Sequence, residues 1–235
     1  MTISSDDALK VLQHDVERLL GRCLLRLQQY ELLMKALVAH CQISGPPDAL
    51  EKVRAKRVEV TGRKTLGALV GDFLGSYIFA DENGTSVEET KDSPEDSVWV
   101  NIRFHIELPE AEFDRIENDL KELVLLRNNL VHHFISQHDL GSPDGCRGAQ
   151  ETLVSAQGRI NQQLDQLRAW YEEMEQCRRT VAEHVRSDVF HDLVVNGIAP
   201  DGTVDWPVAG AVSVLRQAAV ELAVGGWTPV AEAGK

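Results

Sequence analysis

The sequence predicts a mainly α protein: an antiparallel helical bundle with a small β-hairpin excursion and a short C-terminal helical piece. Three observations carry this. Apolar residues recur at three- and four-residue steps through residues 6–40 and again through 150–186, much longer than a strand. Clusters of glycine and proline divide these runs from shorter helical ones. One stretch, Val98 to Ile106, alternates and is rich in β-branched and aromatic residues, as a strand does.

In order along the chain, the first helix buries Leu12, Val16, Leu19, Leu20, Cys23, Leu27, Tyr30, Met34 and Leu37. It ends at Ser44-Gly45-Pro46-Pro47, since the two prolines cannot continue it. Asp48 or a neighbour caps a second helix with Leu50, Val53 and a basic cluster. A third segment, Thr65 to Leu74, carries glycines at 67 and 71 that continue to 75, a spacing that lets another helix approach closely. Residues 80–97 are acidic and turn-rich, and read as a mobile loop. The strand that follows has Ser76-Tyr77-Ile78-Phe79 as its expected antiparallel partner, and the hairpin must lie on the helices to be stable. Beyond the break at Gly141-Ser142-Pro143-Asp144-Gly145, the last long helix buries Leu153, Ile160, Leu164, Leu167, Trp170, Met174 and their neighbours out to Cys177, Val181 and Val185. A short helix near Val189-Phe190 and a turn at Asn196-Gly197 lead to a new amphipathic helix opened by Trp206-Pro207, and Trp227 to Ala233 starts another.

The helix entered at Leu108-Pro109-Glu110 ends in the most informative stretch, Arg127-Asn128-Asn129-Leu130-Val131-His132-His133-Phe134. Its stripe runs through Phe113, Ile116, Leu120, Leu123, Val124, Leu130, Val131 and Phe134, and Arg127 falls inside it. A guanidinium buried without a partner is costly, so either the helix is exposed there or something meets Arg127.

Of the 235 residues 43% are hydrophobic, with no run long enough to span a bilayer and no basic-then-apolar leader at the N-terminus. Cys23, Cys41, Cys146 and Cys177 are scattered without C-x-x-C or ligand spacing, and read as reduced thiols of a cytoplasmic protein, mostly filling the core. The net charge of −13 argues against gripping nucleic acid by general electrostatics, though not against a local site. Two basic groups run against it: Arg18, Arg22 and Arg26 at steps of four, and Lys52, Arg54, Lys56, Arg57, Arg63 and Lys64. Each alone reads as a solvated helix face; together they offer an RNA-facing surface. No metal or cofactor is expected, because no histidine or cysteine spacing suits one.

Arg127-Asn128 followed by His132 resembles the R-x4-6-H signature of HEPN domains, in the form with a polar residue after the arginine. The order of a long first helix, the Thr65-Leu66-Gly67 segment, an insertion, the motif and a long helix is similar to theirs over about residues 6–187. At the end, Asp205-Trp206-Pro207 through Leu215-Arg216-Gln217 and Gly226-Trp227-Thr228-Pro229-Val230 look like the opening of an OST-HTH (LOTUS) domain, a winged-helix-like module associated with RNA binding and protein contacts. That module needs about twice the residues left here, so it is expected to be truncated. The resulting division is 1–187 for a HEPN-like bundle, 188–204 for a linker and 205–235 for the LOTUS-like piece.

On an ideal α-helix Asn128 and His132 share a face, whereas Arg127 and His132 stand about 140° apart. Two copies meeting across a two-fold, or a break in the helix, unites them. The resemblance implies the first: a homodimer whose paired motifs line a cleft. It implies metal-independent RNA cleavage, in which the ribose 2′-OH attacks the adjacent phosphate and leaves a cyclic phosphate. His132 would be general base or acid, Arg127 would stabilise the phosphorane oxygens, Asn128 would orient His132 or the phosphate, and His133 is an auxiliary candidate.

A purely structural reading instead pairs Arg127 and Asn128 with Glu122 or other carboxylates and buries His132. Further alternatives are a non-catalytic HEPN/LOTUS module that dimerises and binds RNA or protein, and the HEPN half of a toxin–antitoxin-like pair with a regulatory protein partner. Tyr77, Trp99 and Phe104 offer base-stacking surfaces, although packing on the bundle is the preferred reading for them.

Overall fold

The computed structural model describes residues 5–80, 99–204, 206 and 209–222. The acidic loop, Asp205, Pro207 and the segment from Trp227 lie outside the described residues. The chain divides into two compact units, Met1–Met174 and Glu175–Lys235.

The first unit is mainly helical, and its longest element, α1 (Ser5–His40), supplies one side of the core. Val16, Cys23, Leu27, Tyr30, Met34 and Leu37 are buried along it, at the spacing the sequence predicts. Its end comes earlier than the prolines, because Gln42–Gly45 leaves the helix as a strand, β1. The last carbonyls of α1 are met from α2 (Leu50–Gly62): Arg57 donates to Val38 O at 3.1 Å and to Ala39 O at 3.3 Å. A cation there satisfies carbonyls that have no helical donor and opposes the helix dipole. Asp48 lies in a single turn of 3-10 helix before α2 and makes no side-chain cap. Thr65 does cap: its hydroxyl accepts from the Ala68 N–H and starts α3 (Leu66–Ser76), an interaction worth about 1 kcal/mol.

The strand region departs from the expected hairpin. Val100–Arg103 (β3) pairs antiparallel with β1, and Ile106–Leu108 (β4) pairs in parallel with Ile78–Ala80 (β2). The alternating run is therefore split at Phe104-His105, where Phe104 N–H donates to Cys41 O and Ile106 N–H to Tyr77 O. Periodicity marks a strand but does not choose its partner. The long connection through residues 81–105 permits the parallel pair that a tight turn forbids. Tyr77 is buried with its hydroxyl on Trp170 O, and Trp99 Nε1 donates to Ser44 Oγ, so both serve packing.

Pro109 precedes α4 (Glu110–Asn128), which is followed by a π-helical turn (Asn129–His133), α5 (Phe134–Gln137) and α6 (Pro143–Val185). Ser142 holds the start of α6, its hydroxyl accepting from Gly145 N–H at 3.1 Å. Gly145 has no room for a side chain: a Cβ there would stand 1.9 Å from Asp139 O. Contacts of α1 with α6 and the turn just before it advance together, Gln13 with Leu140 and Cys23 with Leu153, so α1 and α6 run in the same direction. Glu122 on α4 pairs with Arg159 on α6, as the reversal between those helices requires. Consecutive long helices thus alternate in direction. The predicted close approach at the α3 glycines holds only at Gly67, which faces Val124 at 3.6 Å; Gly71 and Gly75 face open space. On α6 the stripe is buried as far as Met174, and Cys177 and Val185 are exposed.

Within the second unit, Ser187 caps α7 (Asp188–His191), a π-helical turn follows to Asn196, and Gly197 and Gly202 take positive φ. The helix expected from Trp206 is present as α8 (Gly210–Glu221). Among the described residues no helix is long and apolar enough to cross a membrane.

Two glycine substitutions of opposite sign test this packing by urea unfolding. Gly145→Ala forces the turn before α6 to shift and lowers stability by about 1–3 kcal/mol. Gly21→Ala adds a Cβ that meets nothing within 4 Å and raises stability by up to about 1 kcal/mol.

Candidate functional site: the underwound turn after α4

Leu130 and Phe134 are buried in the core, and α1 packs against the turn that carries Leu130. The residues around Leu130, namely Asn128, Asn129, Val131, His132 and His133, are weak helix formers, so little local preference holds them in α winding. The backbone widens into a π turn, in which a hydrogen-bonded ring closes between residues five apart.

This changes the geometry of the motif. A π turn turns less per residue than an α turn, and Arg127 Nη1, from the last turn of α4 before it, stands 3.5 Å from His132 Nε2. The same nitrogen donates to Asn128 Oδ1 at 3.2 Å. The expectation that one helix keeps Arg127 and His132 on different faces is therefore corrected: a single copy brings them together, because the helix is not ideal between them. Arg127 and Asn128 are half-buried and His132 and His133 exposed. Arg127 is half-buried in the line of the apolar stripe, a place that a long side chain with an apolar stem and a charged head can occupy.

The purely structural pairing is not what is found. Glu122 is taken by Arg159, and among the described residues no carboxylate pairs with Arg127. His132 is exposed rather than buried. Val131, expected in the stripe, is 45% exposed because the underwound turn rotates it outward. Leu125 and Ile135, which the stripe does not include, are also exposed, so apolar side chains flank the polar cluster in sequence. Their place off the stripe was the only signal available for them.

The chemistry available follows from donor types. A guanidinium only donates, so this contact is a hydrogen bond only in the tautomer whose Nε2 presents its lone pair and whose ring proton sits on Nδ1. That is the form of histidine able to take a proton. His133 ends the turn at φ −124°, ψ −6°, with its ring edge-to-face to His132 at 6.3 Å. Arg18 pairs with Asp15 and Arg26 donates to Gln29, while Arg22 is exposed, so the predicted basic stripe on α1 is partly engaged by its own helix. Burial pushes the Cys23 and Cys41 thiols up, which leaves neither as a ready thiolate.

Comparison of the chain with protein-family models, curated proteins and solved structures finds no match.

The tautomer is directly measurable. Two-bond proton–nitrogen correlation spectra of histidine-labelled protein at neutral pH are expected to show His132 Nε2 as an unprotonated ring nitrogen and Nδ1 as protonated. Arg127→Ala is expected to shift the population toward the Nε2–H tautomer. An Nε2–H form in the unsubstituted protein contradicts the contact.

Proposed function

We propose that the exposed surface of Arg127, Asn128 and His132 is the cleavage site of a HEPN-type, metal-independent endoribonuclease that works as a homodimer with paired motifs. The observation that carries this reading is the Arg127–His132 contact across the π turn, with no carboxylate holding the guanidinium. A base and a cation side by side at the surface suit a phosphodiester whose attacking hydroxyl is its own neighbour.

In the proposed step the neutral His132 imidazole takes the proton of a ribose 2′-OH, whose oxygen attacks the adjacent phosphorus. The bond from phosphorus to the 5′-oxygen breaks, and that oxygen takes a proton from a second imidazolium, supplied by His133 or by His132 of the other copy. The products are a 2′,3′-cyclic phosphate and a 5′-hydroxyl. Arg127, with guanidinium donors to spare, stabilises the charge that builds on the phosphorane oxygens. Asn128 holds Arg127 in place through its side-chain oxygen. Exposed Leu125, Val131 and Ile135 give a second copy apolar surface to cover. RNA selection is assigned in part to the LOTUS-like C-terminal piece.

Two observations favour a second reading, a non-catalytic HEPN/LOTUS module that binds RNA or protein. The Arg127–His132 contact is direct, so the pair must separate to admit a phosphate oxygen, and the chain as a whole is acidic.

Single-turnover cleavage of a structured RNA in chelator separates the two. His132→Ala is expected to slow cleavage by about 10²–10⁴-fold, and Arg127→Ala by about 10²–10³-fold, with the oligomeric state unchanged in both. Binding without cleavage, or equal background in all three proteins, gives the second reading.

A further inference from the structure

A second site stands apart from the motif. Helices α2 and α3 both pack on α1 but diverge from each other, and the gap between them is an open cleft of about 690 Å³ floored by the C-terminal end of α1. That size is in the range of small-molecule sites, about 300–1,000 Å³. The cleft lies at the far end of α1 from Gln13, which bonds to the chain just after the motif; the helix rise separates Gln13 from Val38 by about 37 Å.

The lining is selective in its chemistry. From α2 come Lys56, Arg57 and Thr61, and Lys64 follows them. Lys64 is ion-paired with Asp72 across the cleft, and Arg57 spends Nε and Nη2 on the α1 carbonyls. Lys56 has no ion pair among the described residues, and Arg57 Nη1 has no partner there. Three cations against one carboxylate make this a positive pocket on a chain of net charge −13. Thr61 points the same way. It is only 5% exposed, lines the cleft, and its hydroxyl has no hydrogen-bond partner among the described residues. A hydroxyl at the cleft lining can donate to a ligand oxygen. Opposite, Gly71 and Gly75 leave the α3 face bare, since a Cβ at either meets nothing within 4 Å. Each glycine costs a helix interior about 1 kcal/mol against alanine, and what the helix gains is a flat wall that a planar group can lie on. Val53 and Val60 supply apolar surface beside it.

We infer that this cleft binds a small phosphate monoester carrying a planar apolar group, of the size of a nucleoside monophosphate. The phosphate meets Lys56, Arg57 Nη1 and the Thr61 hydroxyl, and the planar group lies along Gly71 and Gly75 against the valines. The inference does not depend on the cleavage reading, because none of its residues belongs to the motif.

Calorimetric titration of the full chain tests it, with adenosine 5′-monophosphate, adenosine, inorganic phosphate and a short single-stranded RNA as separate probes. The monophosphate is expected to bind, with adenosine and phosphate each weaker by about tenfold or more. Lys56→Ala, on an exposed helix position, and Gly71→Leu, which fills the cleft while raising helix propensity, are each expected to weaken the monophosphate by about tenfold or more. Far-ultraviolet circular dichroism checks that both variants fold, and Lys56→Ala decides alone if Gly71→Leu does not. No heat with the monophosphate, equal binding of adenosine, binding indifferent to Lys56→Ala, or binding of the RNA alone would each overturn the assignment.

Discussion

The burial of Leu130 and Phe134 is the constraint on which the candidate site depends. Both side chains are fixed in the core beneath α1, four residues apart, and they hold the polar segment between them against the bundle. Weak helix formers on either side of Leu130 make a departure from α winding inexpensive, and the backbone there is a π turn. The functional consequence is one of angle. Underwinding by a single turn converts a five-residue spacing that separates Arg127 and His132 on an ideal helix into a direct contact.

The rest of the first unit serves to hold that turn. Alternating long helices bring the end of α4 and the start of α6 to the same end of α1, where Gln13 donates to Leu140 O. Ser142 and Gly145 make the reversal tight, the serine by capping α6 and the glycine by letting the Asp139 carbonyl approach where a Cβ would collide. The Glu122–Arg159 pair bridges α4 and α6 about one and a half turns before the motif, and in doing so removes a carboxylate that would otherwise compete for Arg127. An exposed pair of this kind adds little stability; its effect here is on which partner Arg127 is left with.

Long amphipathic helices were legible in the sequence because periodicity is a local property. The stripes of α1, α4 and α6 are present much as their residues predict, whereas the cap expected at Asp48 is absent and the one at Thr65 appears only in the structure. Pairing of short strands was not legible. Gln42–Gly45 gives no alternation of its own, and its partner β3 lies more than fifty residues on, so tertiary packing decides the register. The α3 glycines show the same limit: their spacing is visible, but only the neighbours say that Gly67 meets α4 while Gly71 and Gly75 border a cleft. At the motif the residues were identified from sequence and their arrangement was not. Ideal helical angles place Arg127 and His132 apart, and the π turn at Asn129–His133 is a departure from that winding which no spacing rule contains.

The termini left on a cleaved RNA test the central claim most directly, since they record which oxygen attacked the phosphorus. Phosphorus-31 spectra of a short RNA incubated with the full chain are predicted to show a 2′,3′-cyclic phosphate and no new phosphate monoester, and the new 5′ end is predicted to be a hydroxyl that a polynucleotide kinase labels without prior phosphatase treatment. A single 2′-deoxy substitution at the cleaved position is predicted to abolish both. Ends bearing a 3′-hydroxyl and a 5′-phosphate, or cleavage that persists past the 2′-deoxy position, would mean that the attacking oxygen is not the ribose hydroxyl and that His132 and Arg127 do not act as described.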